Sequence, residues 1–233
     1  MAQGAAFDPG FSYFCMGIVG RRPSAYALAV PSPSRRGRKS QYDLGEILDA
    51  ASEMLVFRGY QSTRYSDVSE ASGVPVGSLQ HYFPSIEQLR REALKHKVRA
   101  ELVQLESELE GLDDPWEKIR HIIVSSISLE PDRRRGGWVL WLEYWRAAAH
   151  DPELAADTRE VDAAWLALAA SCVADGVDAG LFRIDGTPHE AAVELHAMLD
   201  GLGVGLAIPH PPEQAMLAVT LVERAMRRLL FGR

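Results

Sequence analysis

The chain has 233 residues, of which 47% are hydrophobic and 24% are charged, enough apolar material to bury a core in one large or two small domains. Its two cysteines, Cys15 and Cys172, exclude a disulfide framework and a cysteine-based metal site, so we expect a reducing, cytoplasmic setting. No apolar run approaches the roughly 18 residues that span a bilayer, so we expect no membrane partner.

The net charge of −7 is distributed unevenly along the chain. Residues 1–100 carry 13 Lys and Arg against 9 Asp and Glu, whereas residues 101–233 carry 12 against 23. A basic N-terminal part followed by an acidic C-terminal part is expected when only the N-terminal part binds a polyanion. Chance clustering of solvated charges is the alternative.

Residues 1–39 are predicted to be a disordered N-terminal extension. The segment "PSPSRRGRKS" (31–40) is rich in proline, serine and charge, which is typical of a linker. The apolar stretch before it does not fit a secretion signal, because the pair Arg21 and Arg22 follows that stretch instead of preceding it. An over-long start of the reading frame is the other interpretation.

Four helices are predicted next. The first begins after a cap at Asp43 and ends at Gly59. The second runs from an N-cap at Thr63 to Ala71. The third runs from Pro75 to about Tyr82, and the fourth is capped by Ser85 and continues to Gly111.

The remaining periodic segments are also helical, near 115–129, 135–149, 152–179, 188–207 and 212–231. Breaks rich in proline or aspartate separate them, and strand signals are absent from the sequence. The predicted fold is therefore all-α, with a small three-helix head at residues 40–88 and a larger helical body at residues 89–233.

The stretch "SDVSEASGVPVGSLQHYF" (66–83) has the pattern of a helix-turn-helix. Gly73 permits the turn, and buried contacts are expected from Val68, Ala71, Val74 and Leu79. The second of these helices turns short, polar or aromatic side chains outward, and no acidic residue lies between Glu70 and Glu87. Such a surface is suited to the major groove of double-stranded DNA.

On these residues the head resembles the DNA-binding domain of the TetR family of bacterial repressors. The positions that match the family pattern are Gly59-Tyr60, Thr63, Asp67-Val68, Ala71, Gly73-Val74, Gly77, Leu79, Tyr82-Phe83 and Ser85. The resemblance is strong over residues 40–90 and implies that the protein regulates transcription by binding an operator.

The resemblance implies roles for the residues of the DNA-binding surface. Thr63 and Tyr82 would bind backbone phosphates. Base edges would be contacted by Arg64, Val76, Ser78, Gln80 and His81. For Tyr82 the alternative is a packing aromatic, and for Gln80 and His81 it is an ordinary exposed position.

Two positions depart from the family pattern. Gln80 replaces the usual Tyr, and a glutamine can bond an adenine through two hydrogen bonds. Ile86 replaces the usual Lys, which removes one phosphate contact.

The basic stretch "RRGRK" (35–39), which includes Arg38, lies just before the first helix. Basic arms of this kind enter the neighbouring minor groove of DNA. A solubilising linker is the alternative interpretation.

Three tryptophans, Trp138, Trp141 and Trp145, share one face of the predicted sixth helix. Such a stripe belongs either to the core or to a binding cavity. The segments "WLEYW", "HDPELA", "GLF" and "MLDGL" resemble the sensor domain of choline-responsive, BetI-like TetR regulators.

That second resemblance implies a small-molecule effector cavity between the middle helices. Its candidate residues are His121, Trp141, Trp145, Trp165 and Cys172. A tryptophan-rich cavity suits either a cation, through cation–π attraction, or a flat hydrophobic compound.

The helix near 188–207 contains Gly201, Gly203 and Gly205, each of which costs roughly 1 kcal/mol relative to alanine. Close approach of a partner helix is one explanation, and fraying before Pro209 is the other. Together with the apolar last helix, this region is the predicted surface of a homodimer, which reading a palindromic operator requires.

No catalytic or cofactor-binding motif is present, so we expect neither an enzyme nor a cofactor. His196 and Asp200 lie one helical turn apart but lack the supporting ligands of a metal site, so a polar dimer contact is predicted. The function expected is a ligand-responsive DNA-binding regulator, in most cases of this family a repressor. The alternative is a module with a helix-turn-helix fold that binds another protein and does not bind DNA.

Overall fold

The computed structural model describes residues 42–127 and 131–232, apart from the side chains of residues 131–135. Within these ranges the chain forms nine α-helices and no strand. They are α1 (Leu44–Arg58), α2 (Tyr65–Ser72), α3 (Val76–Tyr82), α4 (Ile86–Leu109), α5 (Pro115–Ile127), α6 (Pro131–Ala148), α7 (Pro152–Asp178), α8 (Pro188–Leu206) and α9 (Pro212–Phe231). The predicted all-α fold class is confirmed.

Local capping interactions determine most of the helix ends. The Asp43 carboxylate accepts a hydrogen bond of 2.7 Å from the backbone N–H of Gly45, and the Ser85 hydroxyl accepts one of 3.1 Å from that of Gln88. Thr187 and Glu190 form a capping box at the start of α8. Because these contacts join residues two or three positions apart, the sequence alone predicts the ends closely.

Two predicted helix starts were wrong. The N-cap of α2 is Arg64, not Thr63, because the Asp67 carboxylate accepts a 2.7 Å hydrogen bond from the backbone N–H of Arg64. Helix α6 begins at Pro131, four residues before the predicted position. Proline is well suited to a first helical turn, since its missing N–H has no partner there in any case.

In the head, α1 packs against α4, α2 packs against α1, and α3 packs against α2. Val68 and Leu79 are fully buried, and Val74 and Phe83 nearly so. Ala71 is exposed, so the predicted contact at that position was wrong: α2 turns Val68 toward the core. The two helices of the motif are thus oriented by a few large apolar side chains.

The body consists of α5 to α9 around the second half of α4, with α7 and α8 packed side by side. Gly203 on α8 is buried against Trp138 of α6, and a Cβ at position 203 would lie 1.8 Å from the indole ring. The close approach therefore comes from a helix of the same chain. Gly201 and Gly205 face outward with nothing within 4 Å of their Cβ positions.

None of the helices in the described ranges combines the length and apolar character needed to cross a membrane. The predicted boundary at residues 88 and 89 falls inside the continuous helix α4. The division into a head and a body therefore remains a functional prediction. The structure is described from Tyr42 onward, so the predicted extension at residues 1–39 lies outside the described residues.

Candidate functional site

The helix-turn-helix presents α3 on the surface of the head. Gly73 adopts a left-handed conformation with φ +71°, which turns the chain between α2 and α3. Leu79 and Phe83 anchor the inner face of α3 in the core. The Tyr65 hydroxyl donates a 2.5 Å hydrogen bond to the carbonyl of Phe83, which ties the end of α3 to α2. The sequence analysis missed this role of Tyr65.

Most of the predicted base-contacting side chains are accessible. Arg64, Val76, Gln80 and His81 are exposed, and Ser78 is partly exposed. No ion pair joins the Arg64 side chain to any described residue, although the neighbouring Asp67 carboxylate, which pairs with Arg58, accepts a hydrogen bond from the Arg64 backbone N–H. The predicted phosphate-binding residue Tyr82 is half-buried and packs edge-on against the ring of His81 at 5.9 Å.

The predicted role of Thr63 in phosphate binding was wrong. Its side chain is 1% exposed, and its hydroxyl lies 3.0 Å from the carbonyl of Gly59 and 3.1 Å from that of Met54, as a donor to both. Its own carbonyl accepts hydrogen bonds from the guanidinium of Arg90 on α4. Thr63 therefore connects α1, α2 and α4 inside the head.

Arg38 lies outside the described residues, so its predicted entry into a minor groove stays a prediction.

A cavity of about 150 Å³ lies in the body between α4, α5, α6, α7 and α8. Four tryptophans line it: Trp138, Trp141, Trp145 and Trp165. The ring of Trp141 is central, with its centroid 5.7 Å from that of Trp145 and 6.4 Å from that of Trp165. The structure thus brings together the three tryptophans that were predicted to bind a ligand.

The polar side of the cavity is acidic. Glu101 and Glu108 of α4 and Asp200 of α8 line it, and its described lining contains neither lysine nor arginine. Gln104 donates a 2.8 Å hydrogen bond to Glu108, which holds that carboxylate in place. The sequence analysis missed both glutamates, because nothing in their spacing on α4 marks them as facing tryptophans of other helices.

Two predicted ligand-binding residues were placed wrongly. His121 is not part of the cavity lining. Its Nε2 lies 2.8 Å from a carboxylate oxygen of Glu108, and Glu108 does line the cavity. Cys172 is buried away from the cavity, and burial raises the pKa of its thiol. His121 lies one helical turn before Ser125 on α5, and Cys172 lies two turns beyond Trp165 on α7, so each is displaced along its helix from the residue that lines the cavity.

His196 and Asp200 line the cavity, with Nε2 of His196 3.2 Å from a carboxylate oxygen of Asp200. The two side chains thus pair within one chain, on the side of α8 that lines the cavity, and their predicted contact across a dimer stays a prediction. Among the described residues, no group of three His, Cys, Asp or Glu side chains is arranged to hold a metal ion.

Several contacts connect the cavity wall to the head. Arg146, one residue after Trp145, lies over the ring of Tyr60 with 5.4 Å between the guanidinium carbon and the ring centroid. Arg90 lies over the same ring at 5.7 Å. Tyr60 of the head is thus held by one arginine from the cavity helix α6 and one from α4.

A helix-turn-helix with an acid-free second helix, carried on a helical body with an internal cavity, defines the class of DNA-binding transcriptional regulators. Two family models match this chain. Residues 47–93 match bacterial regulatory proteins of the tetR family, and residues 115–230 match the C-terminal part of BetI-type transcriptional repressors. The chain belongs to the TetR family of transcriptional regulators.

Known proteins agree with this assignment. The repressor KstR2 of Mycolicibacterium smegmatis is 30% identical over 81 residues, which cover 35% of this chain and 40% of that protein. A putative transcriptional regulator from Saccharomonospora viridis, solved in complex with choline, superposes with a TM-score of 0.72 at 23% identity over 81% of this chain and 97% of the other. FadR from Bacillus subtilis, solved with stearoyl-CoA, gives 0.63 at 20% identity over 81% and 98%.

The sequence match to KstR2 spans less than half of that relative's length, and the two solved structures establish the fold. The relatives are transcriptional regulators, in agreement with the prediction that the chain is not an enzyme.

Proposed function

We propose that this protein is a ligand-responsive repressor. A homodimer would place two α3 helices on a palindromic operator, and a small organic cation in the tryptophan-lined cavity would release it. The observation that carries the cation assignment is Trp141 flanked by Trp145 and Trp165, opposite a lining with three carboxylates.

The DNA contacts would come from the exposed side of the helix-turn-helix. Arg64, Val76, Ser78, Gln80 and His81 would read base edges, Tyr82 would bind a phosphate, and Arg38 would reach the adjacent minor groove. The accessibility of Arg64, Val76, Ser78, Gln80 and His81, and the absence of acidic residues between Glu70 and Glu87, support this assignment. The same features favour DNA over a protein partner, since a protein-interaction surface requires no such exclusion of negative charge.

The dimer would form through the outer faces of α8 and α9. Large apolar side chains are exposed there, namely Val193, Val204, Ile208, Met216 and Leu217. Gly201 and Gly205 lie on the same outer side of α8, where the missing side chains let a second helix come close. Two heads joined in this way are needed to reach two half-sites.

A cation suits the cavity on two physical grounds. The faces of tryptophan rings attract positive charge, by about 0.5 to 2 kcal/mol each depending on desolvation. The carboxylates of Glu101, Glu108 and Asp200 add a negative potential; the described lining contains no lysine or arginine, and its one basic side chain is His196, which pairs with Asp200. The choline bound by the Saccharomonospora viridis structure is a ligand of this chemical class.

A flat hydrophobic ligand or an acyl-CoA fits less well. A cavity of about 150 Å³ holds a benzene-sized group, and a long acyl chain would have to extend out of it. The carboxylates would also repel the phosphates of a CoA such as the one bound by FadR.

Release would follow from the position of α4. Glu101, Leu105 and Glu108 of the cavity lie on the helix whose first half carries Arg90, the anchor of the head. A ligand that draws the second half of α4 toward the tryptophans would change the direction of its first half. Operator and ligand would then weaken each other's binding by the same coupling free energy, typically about 1–3 kcal/mol.

The test begins with selection of the operator from random duplexes, whose symmetry reports on the dimer. Operator binding is then measured by fluorescence anisotropy with choline chloride and with 3,3-dimethylbutan-1-ol, the uncharged analogue of choline in which a carbon replaces the quaternary nitrogen. We expect choline to weaken operator binding about 5- to 150-fold and dimethylbutanol to have little effect.

The variant Glu108→Gln keeps the size of the side chain and removes its charge, and it should lose most of the response to choline. If no duplex is bound at low salt, the DNA-binding proposal is wrong. If the operator is bound and neither compound changes the affinity, only the cationic effector is wrong.

A further inference from the structure

His196 is the one basic side chain in the described lining of the cavity. It lies on α8, its side chain is 29% exposed, and it lines the cavity beside Asp200, whose carboxylate oxygen is 3.2 Å from its Nε2. Any proton that His196 carries therefore lies in the same space that an incoming cation would occupy.

A further carboxylate, that of Asp162 on the neighbouring helix α7, influences this histidine electrostatically. Asp162 of α7 is half-buried, and one of its carboxylate oxygens has no hydrogen-bond partner among the described residues. Burial raises the pKa of Asp162, the charge of His196 opposes that rise, and Asp200 adds to it. The charges of His196, Asp200 and Asp162 therefore influence one another.

This environment favours a protonated histidine in the free protein. The hydrogen bond to Asp200 is the largest influence and raises the pKa of His196; burial opposes it, and the charges of Asp200 and Asp162 add to the rise. Helix α4 contributes the carboxylates of Glu101 and Glu108 to the same cavity. His121 of α5 does not line the cavity but pairs with Glu108.

We propose that the cavity exchanges a proton for its ligand: the proton of His196 neutralises Asp200 in the free protein, and binding of an organic cation displaces that proton. This inference rests on the proposed cationic effector and adds a regulation of the same site. His196 is a positioning and charge-setting residue here, since it determines how much of the Asp200 charge is available to the ligand.

The direction of the pH effect follows from proton linkage. The free protein binds more protons than the complex, so the affinity for the cation rises with pH by at most about tenfold per unit while one proton is released. Above the pKa of His196 in the free protein the histidine is neutral in both states, and the affinity levels off. A cation that carries no dissociable proton shows this dependence most clearly, because its own charge does not change.

The experiment is titration calorimetry of the full-length protein with choline chloride, from about pH 6 to about pH 8.5, in buffers of different ionisation enthalpy. We expect the affinity to rise at least about threefold over this range, with release of up to one proton per choline bound. His196→Gln, which preserves a hydrogen-bond donor toward Asp200, should bind choline with an affinity that no longer depends on pH.

The matched control is His121→Gln, which removes the other histidine paired with a cavity carboxylate and should leave the pH dependence unchanged. Thermal unfolding verifies that both variants are folded.

The outcomes separate this inference from the proposed function. Choline binding with constant affinity and no proton release overturns the role of His196 and leaves the cationic effector intact. The role is also overturned if His196→Gln keeps the pH dependence or if His121→Gln loses it. If neither choline nor tetramethylammonium binds at any pH, the cationic effector fails and this inference fails with it.

Discussion

The hydroxyl of Tyr144 donates a 2.7 Å hydrogen bond to the carboxylate of Asp157, and Arg99 pairs with the other oxygen of that carboxylate. Tyr144 is fully buried on α6, Asp157 is 6% exposed on α7, and Arg99 belongs to α4. The ring of Tyr144 also packs edge-on against Trp141 of the cavity, with 5.8 Å between the ring centroids. One polar cluster therefore joins three helices beside the tryptophan-lined cavity.

Removing this hydroxyl should destabilise the protein. Tyr144→Phe leaves a buried carboxylate oxygen of Asp157 without its donor, which we expect to lower the free energy of unfolding by about 1–3 kcal/mol. Urea denaturation monitored by circular dichroism measures the change. Tyr60→Phe is the control, because the Tyr60 hydroxyl makes no hydrogen bond with a described residue, and it should change stability by less than about 0.5 kcal/mol. Equal effects of the two substitutions would show that the buried cluster contributes nothing particular.

A substitution at Gly77 of α3 tests whether this glycine is needed for the fold or for DNA binding. A Cβ at this exposed position would meet nothing within 4 Å, so the fold does not exclude a side chain there. Gly77→Ala should leave stability unchanged or raise it by up to about 1 kcal/mol, because alanine favours helix. If the DNA backbone approaches α3 closely at this point, the same variant should weaken operator binding at least about tenfold, a cost of about 1.4 kcal/mol.

Fluorescence anisotropy with the selected operator measures this effect. Gly111→Ala, in the turn after α4, is the matched control and should bind the operator normally. Undiminished operator affinity of Gly77→Ala would mean that the glycine is not needed for close approach.

Gln80 is predicted to read a base, whereas Tyr82 is predicted to bind a phosphate. Gln80→Ala should cost about 1–3 kcal/mol at the preferred site and relax the base preference at one position of each half-site. Tyr82→Phe should weaken binding to all sequences alike. Repeating the selection from random duplexes with each variant distinguishes the two roles. An unchanged site and affinity for Gln80→Ala would remove base reading from this residue.

Gly203 is required by Trp138. A Cβ at position 203 would lie 1.8 Å from the Trp138 ring, whose indole N–H donates a 3.1 Å hydrogen bond to the carbonyl of Ser126. Gly203→Ala must displace this ring and should destabilise the protein by about 1–3 kcal/mol through overpacking. It should also weaken cation binding, since Trp138 lines the cavity.

Thermal unfolding and calorimetry measure the two effects. Gly137→Ala, also at the cavity but with nothing within 4 Å of its Cβ position, should not destabilise the fold. A stable Gly203→Ala variant with normal ligand affinity would show that the contact is dispensable.

The sequence by itself determined the helices and the helix-turn-helix. Asp43, Gly59 and Ser85 mark helix ends because capping depends on hydrogen bonds between residues only a few positions apart. The burial of Leu79 and Phe83 follows from a helical repeat that is visible in the chain. The head could be predicted well because its signals are local.

Tertiary packing decided which residues meet at the cavity. Trp141 and Trp145 were predictable from their common helix face, but Glu101, Glu108 and His196 come from other helices whose rotation about their axes is not encoded locally. Cys172 lies two helical turns beyond Trp165 on α7 and is buried elsewhere in the interior, and the crossing of α1, α2 and α4 buries Thr63. Helix rotation and crossing depend on how side chains of several helices pack together, which no short segment of sequence contains.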